Sequence, residues 1–318
     1  MKITVVGPGR WGSCITWYLD RTGHNVTLYG RSTSQAMQNY LHTGKGKYVE
    51  MPKSVRLTTD LSSVVDSEAI IISIPSQSLR GFLSELKEFD LKNKIFVLCM
   101  KGIEISGCKR LSEIAEEEVG ENNDVAVWLG PGHVQEFYNG IPNCMVIDSS
   151  NRSVTEKLVN EFSSDLIRFY YGNDLLGNEI GAAAKNVIGI AAGILDGMNL
   201  TTLKGALMSR GTREIARLIS AMGGNELSAY GLCHLGDYEA TVFSPFSHNR
   251  QYGEAFVKGE KFDSLAEGYY TVKALVALGK KYSVDLPICE AVYTVLYENA
   301  SAENAISDLF SRELKQEF

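Results

Sequence analysis

The sequence predicts an α/β domain over residues 1–172, followed by an all-helical domain over residues 173–318. In the first part, short apolar runs alternate with stretches of helical pattern. Such alternation is typical of a parallel sheet that is covered by helices on both faces. After about Gly172 the strand-like runs stop and long helical patterns follow. The length of 318 residues also favours two domains rather than one.

The individual elements follow from these patterns. Strands are predicted at Lys2–Val6, Asn25–Tyr29, Ala69–Ile74, Ile95–Met100, Val125–Leu129, Met145–Asp148 and Ile167–Tyr171. Long helices are predicted at Asp174–Leu195, Thr202–Met222, Thr271–Tyr282, Ile288–Tyr297 and Ser301–Arg312. Pro287 and the pair Gly223-Gly224 mark boundaries in the helical part.

The first strand leads into the glycine-rich segment GPGRWG at residues 7–12. A predicted helix and a second strand follow, so the motif GxGxxG stands inside a βαβ unit, where a dinucleotide-binding loop is found. Gly7 would allow the tight turn, Gly9 would let the backbone approach a pyrophosphate, and Gly12 would pack the helix on the strand. The helix N-terminus would add N–H groups for the phosphates. The segment therefore predicts a bound dinucleotide.

The end of the second strand bears on the choice between NAD and NADP. An acidic residue there would bind the ribose 2′-hydroxyl of NAD. The sequence instead has Tyr29-Gly30-Arg31, and Arg31 is able to meet the 2′-phosphate of NADP. A loop arginine with no ligand is the alternative, so the preference between the two cofactors stays open.

Further polar residues follow the ends of other predicted strands. Lys101 comes after one of them, and the loop from Gly130 to His133 comes after another. In open parallel sheets, ligands bind at the carboxyl ends of the strands. We therefore expect these two segments to join the glycine-rich loop at a ligand site.

The predicted helix that opens the second domain contains a single charged side chain between Ile180 and Ile194, which is Lys185. A helix that is apolar all round is normally buried. Burial of an ammonium group is costly unless it is paired or its pKa falls. The alternative is a lysine that extends along the helix to reach water.

Composition narrows the function classes. The formal net charge of −7 argues against general binding to nucleic acids or to membrane surfaces. The cysteines are scattered, without a CxxC pair, which favours reduced thiols and a cytoplasmic location. The N-terminus lacks the pattern of a signal peptide, and no uncharged apolar run reaches membrane-spanning length. Cys233, His234, Asp237 and His248 match no familiar metal-ligand spacing, so no metal is expected.

Motifs along nearly the whole chain resemble those of NAD(P)-dependent glycerol-3-phosphate dehydrogenases of the bacterial biosynthetic type. The shared segments are residues 7–12, 29–31, 74–76, 101–102, 129–131, 183–197, 209–211, 235–237, 247–250, 266–268 and 286–288, together with Lys204. The resemblance implies a Rossmann-like dinucleotide-binding domain. It also implies an all-α substrate domain that is similar to the C-terminal domain of 6-phosphogluconate dehydrogenase.

The resemblance implies a reversible reaction in which NAD(P)H reduces dihydroxyacetone phosphate to sn-glycerol 3-phosphate for phospholipid synthesis. Lys185 matches the catalytic lysine, which donates a proton to the carbonyl oxygen. Lys101 and Asp237 match polar groups that bind and orient the substrate. An ammonium held near the developing alkoxide supplies a proton and stabilises charge. An Asp237 carboxylate beside it would keep the lysine charged.

The remaining site residues are also implied by the resemblance. The implied dinucleotide contacts are Gly7, Gly9, Arg10, Trp11, Gly12, Arg31, Lys101, Val134, His248 and Glu267. The implied substrate contacts are Lys101, Gly130, Gly132, Lys185, Asp237, Ser247, Asn249 and Arg250. A homodimer is expected as well, although no interface follows from the sequence.

Two positions depart from the family pattern. Gly132 stands where the family has a serine in the substrate site, and His248 stands where it has an arginine. The second change replaces a bidentate guanidinium by an imidazole that is mostly neutral at pH 7. Such a loss weakens binding by about 1.5–3 kcal/mol unless Arg250 or Lys204 compensates.

Two other functions therefore remain open at this point. A paralogous NAD(P)H-dependent reductase on the same scaffold would act on another small ketone or phosphorylated ketose. A non-catalytic dinucleotide-binding regulator would need none of the four residues Lys185, Asp237, Lys101 and Asn249, and their joint presence argues against it.

Overall fold

The computed structural model describes residues 1–314, 316 and 317. These residues form two compact units. The first unit contains Met1–Lys101 and Lys109–Glu179, and the second contains Gly102–Cys108 and the chain from Ile180 onward. The units thus part between Glu179 and Ile180, whereas the sequence predicts a domain boundary after residue 172.

The first unit is built on an eight-stranded sheet with the order β3-β2-β1-β4-β5-β6-β7-β8. The strands are β1 (Lys2–Val6), β2 (Asn25–Tyr29), β3 (Arg56–Thr58), β4 (Ala69–Ile72), β5 (Ile95–Leu98), β6 (Asp124–Leu129), β7 (Asn143–Ser149) and β8 (Ile167–Tyr171). The helices of this unit are α1 (Arg10–Arg21), α2 (Gln35–Thr43), α3 (Leu79–Leu86), α4 (Leu111–Val119), α5 (Val134–Tyr138) and α6 (Arg152–Phe162). All predicted strands are present, and the three-residue β3 is an edge strand that the sequence pattern missed.

The centre of the sheet is covered on both faces. Every residue of β4 and of β5 is buried. Successive side chains of a strand point to opposite faces, so complete burial requires packing on each side. This is the reason that these strands are continuous apolar runs in the sequence.

The sequence analysis expected a parallel sheet. The structure corrects this expectation at one place, because β7 pairs antiparallel with β6. Strand β8 then pairs parallel with β7. The connection from β6 to β7, residues 130–142, contains only the five-residue helix α5. A parallel return runs back along the sheet, usually through a long helix, whereas an antiparallel return needs no such crossover. The other strands, β1 to β6, pair in parallel.

The second unit consists of helices joined by short helical turns. Its helices are α7 (Leu175–Gly197), which begins in the first unit, α8 (Lys204–Ala221), α9 (His248–Lys258), α10 (Glu267–Tyr282), α11 (Pro287–Tyr297) and α12 (Ala302–Phe310). Helix α9 is absent from the predicted elements. It begins at the N-cap Ser247 and ends before Gly259, which adopts a left-handed conformation.

Helices α7 and α9 cross with their main chains in contact. A Cβ atom added to Gly193 would lie 1.9 Å from the carbonyl oxygen of Arg250. One added to Gly253 would lie 2.1 Å from the carbonyl oxygen of Ile190. Glycine is needed at both positions because any side chain would force the helices apart. This crossing places the N-terminus of α9 beside the turn of α7 that carries Lys185.

Helix α7 is long and apolar enough to cross a membrane by length and composition alone. Of its most apolar 18-residue window, 89% is buried inside the protein. That burial is typical of the core helix of a folded domain.

Candidate active site

The glycine-rich loop between β1 and α1 has the backbone geometry that a pyrophosphate requires. Gly7 has a φ of +105°, and a Cβ there would lie 2.2 Å from the carbonyl oxygen of Ser73. A Cβ on Gly12 would lie 1.9 Å from the oxygen of Gly7. A Cβ on Gly9 would meet no atom within 4 Å, so this face of the loop is open. No side chain caps the N-terminus of α1, where N–H groups bind anions. The loop therefore fits a dinucleotide.

Three of the implied ligand-binding side chains lie close together in the first unit. The guanidinium of Arg10 donates to Oε1 of Gln135 at 2.9 Å and lies over the ring of Tyr48. The ammonium of Lys101 lies 5.8 Å from the ring centroid of Trp11 and donates to the carbonyl oxygen of Gly130 at 2.6 Å. Burial lowers the pKa of Arg10 from its usual value. The loops after β1, β5 and β6 thus meet, as the strand-end argument requires.

Arg31 follows the carboxyl end of β2 and is 58% exposed. Its guanidinium pairs with the carboxylate of Glu85 at 2.5 Å. Exposed ion pairs contribute little free energy, so a 2′-phosphate is able to displace Glu85. The geometry is compatible with either dinucleotide.

The loop after β6 explains the glycine at position 132. Gly132 has a φ of +138°, and a Cβ there would lie 2.4 Å from the ring of Phe137. A serine at this position would be strained and would clash. Gly130 also has a positive φ, of +132°. The side chain of Val134 is fully buried in the core, so a cofactor would meet only its backbone.

Lys185 is 8% exposed, so it does not extend to water along the helix. Its ammonium lies 2.9 Å from Oδ2 of Asp237 and donates to Oγ1 of Thr241 at 2.7 Å. Asp237 ends a short helical turn, Leu235–Asp237, and Thr241 lies in a π-helical turn, Glu239–Phe243. The structure thus joins the two residues that the sequence analysis paired. A buried ammonium that is held in this way is a proton donor with a fixed direction.

Sequence reasoning missed two polar residues at this site, Thr241 and Asn186. Asn186 follows Lys185 directly, and its side-chain oxygen accepts from the amide of Asn249 at 3.0 Å. Oδ1 of Asn249 accepts from the backbone N–H of Gly268 at 2.9 Å. The position of Asn186 beside the lysine was an available signal, whereas Thr241 stands in no recognisable motif.

Two cations near the start of α9 share one carboxylate. Oδ2 of Asp196 accepts from Nζ of Lys204 at 2.6 Å and from the guanidinium of Arg250 at 2.5 Å. Burial alone would raise the pKa of Asp196, but the hydrogen bonds and charges of the two cations lower it. Arg250 also pairs with Glu254 at 3.2 Å.

The other implied residues of the second unit lie at helix N-termini. Ser247 is the N-cap of α9, and its hydroxyl oxygen accepts from the backbone N–H of Arg250. His248 is the first residue of α9, and its ring meets that of Phe262 edge to face. Glu267 is the first residue of α10. Within residues 1–314, 316 and 317, no three His, Cys, Asp or Glu side chains are grouped for a metal ion.

These features define a class of protein. A loop that fits a dinucleotide and a buried, paired lysine that is able to donate a proton are the parts of a nicotinamide-dependent dehydrogenase. Two family models match the chain: the N-terminal domain of NAD-dependent glycerol-3-phosphate dehydrogenase over residues 2–155, and the C-terminal domain over residues 174–307. The chain belongs to this family.

Relatives and solved structures agree with that assignment. The chain is 37% identical to a glycerol-3-phosphate dehydrogenase (NAD(P)+) of Fusobacterium nucleatum, over 100% of this chain and 98% of the relative. It is 36% identical to one of Thermoanaerobacter sp., over 100% and 99%. The crystal structure of glycerol-3-phosphate dehydrogenase from Coxiella burnetii superposes with a TM-score of 0.91 at 27% identity, covering 98% of this chain and 99% of that one.

We predict that Gly132→Ser lowers the free energy of unfolding by about 1–3 kcal/mol, because the Cβ atom meets Phe137 and the positive φ is strained. Urea denaturation followed by circular dichroism measures the change. Gly81→Ser is the matched control, since a Cβ at Gly81 meets no atom within 4 Å. Equal effects of the two substitutions would contradict the prediction.

Proposed function

We propose that Lys185 is the proton donor in the reversible reduction of dihydroxyacetone phosphate to sn-glycerol 3-phosphate. The enzyme is an NAD(P)-dependent glycerol-3-phosphate dehydrogenase, as its family and relatives establish. The observation that carries the proposed role is the buried ammonium group, which both Asp237 and Thr241 hold.

The bound reduced nicotinamide supplies a hydride to the C2 carbon of the ketone. In our proposal the ammonium of Lys185 lies at the C2 oxygen, where it stabilises the negative charge that develops and then transfers one proton. Asp237 keeps Lys185 charged before the reaction, because a carboxylate at 2.9 Å favours the ammonium form. Thr241 fixes the direction of the ammonium. The neutral lysine regains its proton from solvent, and in the oxidative direction it acts as the base.

The cofactor is NAD or NADP, which the family and the relatives' names support. We assign the pyrophosphate to the loop at Gly7–Gly12, because its glycines leave space and the uncapped α1 offers N–H groups. Arg31 is placed to meet a 2′-phosphate. Lys101 is assigned to the substrate. Its ammonium lies near Trp11 and Gly130, where the loops that follow β1, β5 and β6 meet.

The phosphate end of the substrate is assigned to the N-terminus of α9. Asn249 supports this assignment, since its two hydrogen bonds fix its amide between α7 and α10. Ser247 caps the start of α9, because its hydroxyl oxygen accepts from the backbone N–H of Arg250. Arg250 contributes a positive charge near this helix end. Arg250 and Lys204 both form ion pairs with the carboxylate of Asp196. His248 gives this assignment the least support, because a mostly neutral imidazole stands where the family has a guanidinium.

We further propose that the enzyme works in the cytoplasm and supplies glycerol 3-phosphate for phospholipid synthesis. None of the six cysteines, all of which the structure describes, is in a disulfide, which suits a reducing compartment. The net charge of −7 supports a small-molecule substrate rather than a nucleic acid or a membrane surface.

We predict that Lys185→Ala lowers kcat for dihydroxyacetone phosphate reduction roughly 10²- to 10⁴-fold, because general acid catalysis is lost. Binding of NADH or NADPH stays unchanged. Cofactor absorbance measures turnover, and fluorescence titration measures cofactor binding. Lys280→Ala, which removes an exposed lysine at the end of α10, is the control. Turnover by Lys185→Ala at the wild-type rate would disprove the proposed role.

We predict that His248→Arg lowers KM for dihydroxyacetone phosphate about tenfold, because a guanidinium restores a charge-assisted contact with phosphate. The KM for the dinucleotide is measured beside it, because His248 is also an implied dinucleotide contact, and His42→Arg on α2 is the matched control. A wild-type enzyme that reduces another ketone better, with no gain from His248→Arg, would favour a paralogous reductase instead.

We also propose a homodimer that is formed through the helical unit. Helices α7, α8, α11 and α12 line an apolar groove of about 600 Å³, and Phe310 at its edge is 72% exposed. Such a patch on a folded protein marks a contact surface. We expect analytical ultracentrifugation to give a dimer for the wild type and a monomer for Phe310→Asp. Leu41→Asp in the first unit is the control, and a monomeric wild type at micromolar concentration would refute this proposal.

A further inference from the structure

A second buried side-chain pair lies on the same short segment of the chain as Asp237, the partner of Lys185. His234 and Tyr238 are both fully buried, with no exposed surface. The hydroxyl of Tyr238 lies 2.7 Å from Nε2 of His234, and the other ring nitrogen, Nδ1, lies 2.8 Å from the carbonyl oxygen of Gly181. The two residues stand on either side of Asp237 in the chain. A buried histidine and a buried tyrosine with matched partners form a specific contact rather than general apolar packing.

The hydrogen-bond partners determine the state of the imidazole. The carbonyl oxygen of Gly181 only accepts, so Nδ1 of His234 carries the hydrogen and donates it. Nε2 then accepts from the hydroxyl of Tyr238. Burial lowers the pKa of His234 to about 4, and the hydrogen bond to Gly181 and the charge of Asp237 oppose that shift only in part. Burial likewise raises the pKa of Tyr238, so its hydroxyl stays protonated and donates.

The carbonyl group that His234 binds belongs to the turn that carries Lys185. In an α-helix the carbonyl of residue i accepts from the N–H of residue i+4, which here pairs Gly181 with Lys185. The imidazole therefore binds α7 about one turn before the lysine. Close packing supports this contact, because a Cβ on Gly181 would lie 3.0 Å from Cβ of His234.

The chain between His234 and Tyr238 holds the carboxylate. The backbone N–H of Asp237 donates to the carbonyl oxygen of His234 at 3.0 Å. The carbonyl oxygen of Tyr238 in turn accepts from the N–H of Thr241 at 3.0 Å, at the start of the π-helical turn. Oγ1 of Thr212 on α8 lies 3.4 Å from the hydroxyl of Tyr238. Both partners of the Lys185 ammonium thus depend on the backbone that this pair holds.

We propose that His234 and Tyr238 are positioning residues that hold Asp237 and Thr241 against the ammonium of Lys185. The proposal rests on the proposed role of Lys185 as proton donor. His234 links the turn that contains Asp237 to α7 through its hydrogen bond to the carbonyl oxygen of Gly181. The hydroxyl of Tyr238 holds the other end of the turn by donating to Nε2 of His234. It contributes no charge to the site because the imidazole is neutral.

Charged and titratable groups lie on both sides of the pair. Asp237 and Lys185 face His234, and the side chains of Glu214 and Cys289 lie on the side of Tyr238, as does the hydroxyl of Thr212. A histidine whose pKa is lowered on folding favours the folded state fully above about pH 6.5, its unfolded pKa. That contribution is lost as the pH falls from about 6.5 towards 4. The pair therefore stays intact across the neutral range and fails only in acid.

The test compares His234→Ala, His234→Asn and Tyr238→Phe with the wild type. We expect kcat to fall roughly 10- to 100-fold in Tyr238→Phe and His234→Ala, because small misplacements of catalytic groups are costly. His234→Asn keeps a donor near Gly181 but does not reach Tyr238, so its kcat should lie between those of His234→Ala and the wild type. The KM for the dinucleotide should not change.

The pH profile separates positioning from simple destabilisation. A lysine that has lost its carboxylate partner loses its proton more easily. The alkaline limb of kcat for the reduction should therefore move to lower pH by about one unit in Tyr238→Phe. Tyr18→Phe is the matched control, because Tyr18 is a buried tyrosine of the first unit whose hydroxyl donates to the carbonyl of Phe162. It should change thermal stability but not the limb.

Two results would overturn the proposal. One is a folded Tyr238→Phe enzyme with wild-type kcat and an unmoved alkaline limb. The other comes from ¹⁵N-histidine NMR of the wild type, which has five histidines and needs no substitution. We expect one imidazole to stay neutral, with its hydrogen on Nδ1, down to about pH 5. Five rings that all titrate near pH 6.5 would contradict it. Full activity of Lys185→Ala would instead refute the proposed function itself.

Discussion

The ion pair between Lys185 and Asp237 is the interaction on which the helical unit depends. Helix α7 has no other charged side chain between Ile180 and Ile194, and that stretch is almost wholly buried. An ammonium in such surroundings costs several kcal/mol unless a carboxylate and hydrogen bonds offset the desolvation. The chain therefore has to bring Asp237 and Thr241 to one point on α7. The helical turns from Leu235 to Phe243 have that arrangement, and their irregular geometry is understandable as its consequence.

The same arrangement links stability to chemistry. Removing Asp237 alone would leave a buried, uncompensated charge, which is more destabilising than removing both partners. A group that is retained at this cost is usually functional, since an apolar side chain would pack there more cheaply. The two departures at Gly132 and His248 lie elsewhere. The backbone at Gly132 accounts for the first, because no side chain fits beside Phe137. Nothing in the structure explains the second.

Much of the fold was predictable because its signals are local. The apolar strands, the loop at Gly7–Gly12 and the long helix α7 each depend on residues that are close in sequence. The antiparallel β7 was not predictable from its apolar run, since the run does not show that the connection after β6 holds only the short helix α5. Helix α9 was missed because Gly253 and many polar residues interrupt its pattern, although Ser247 and Gly259 mark its two ends. The partners of Lys185 needed three dimensions: Asp237 came only from the family resemblance, and Thr241 from neither source.

The crossing of α7 and α9 has a mechanical consequence. At Gly193 and Gly253 one main chain rests on the other, with no side chain between them. Side chains absorb small displacements by changing rotamer, whereas two backbones in contact have no such freedom. The joint between these helices is therefore stiff. A displacement of α9 against this contact also moves α7, which couples the positions of Asn249 and Lys185, one on each helix.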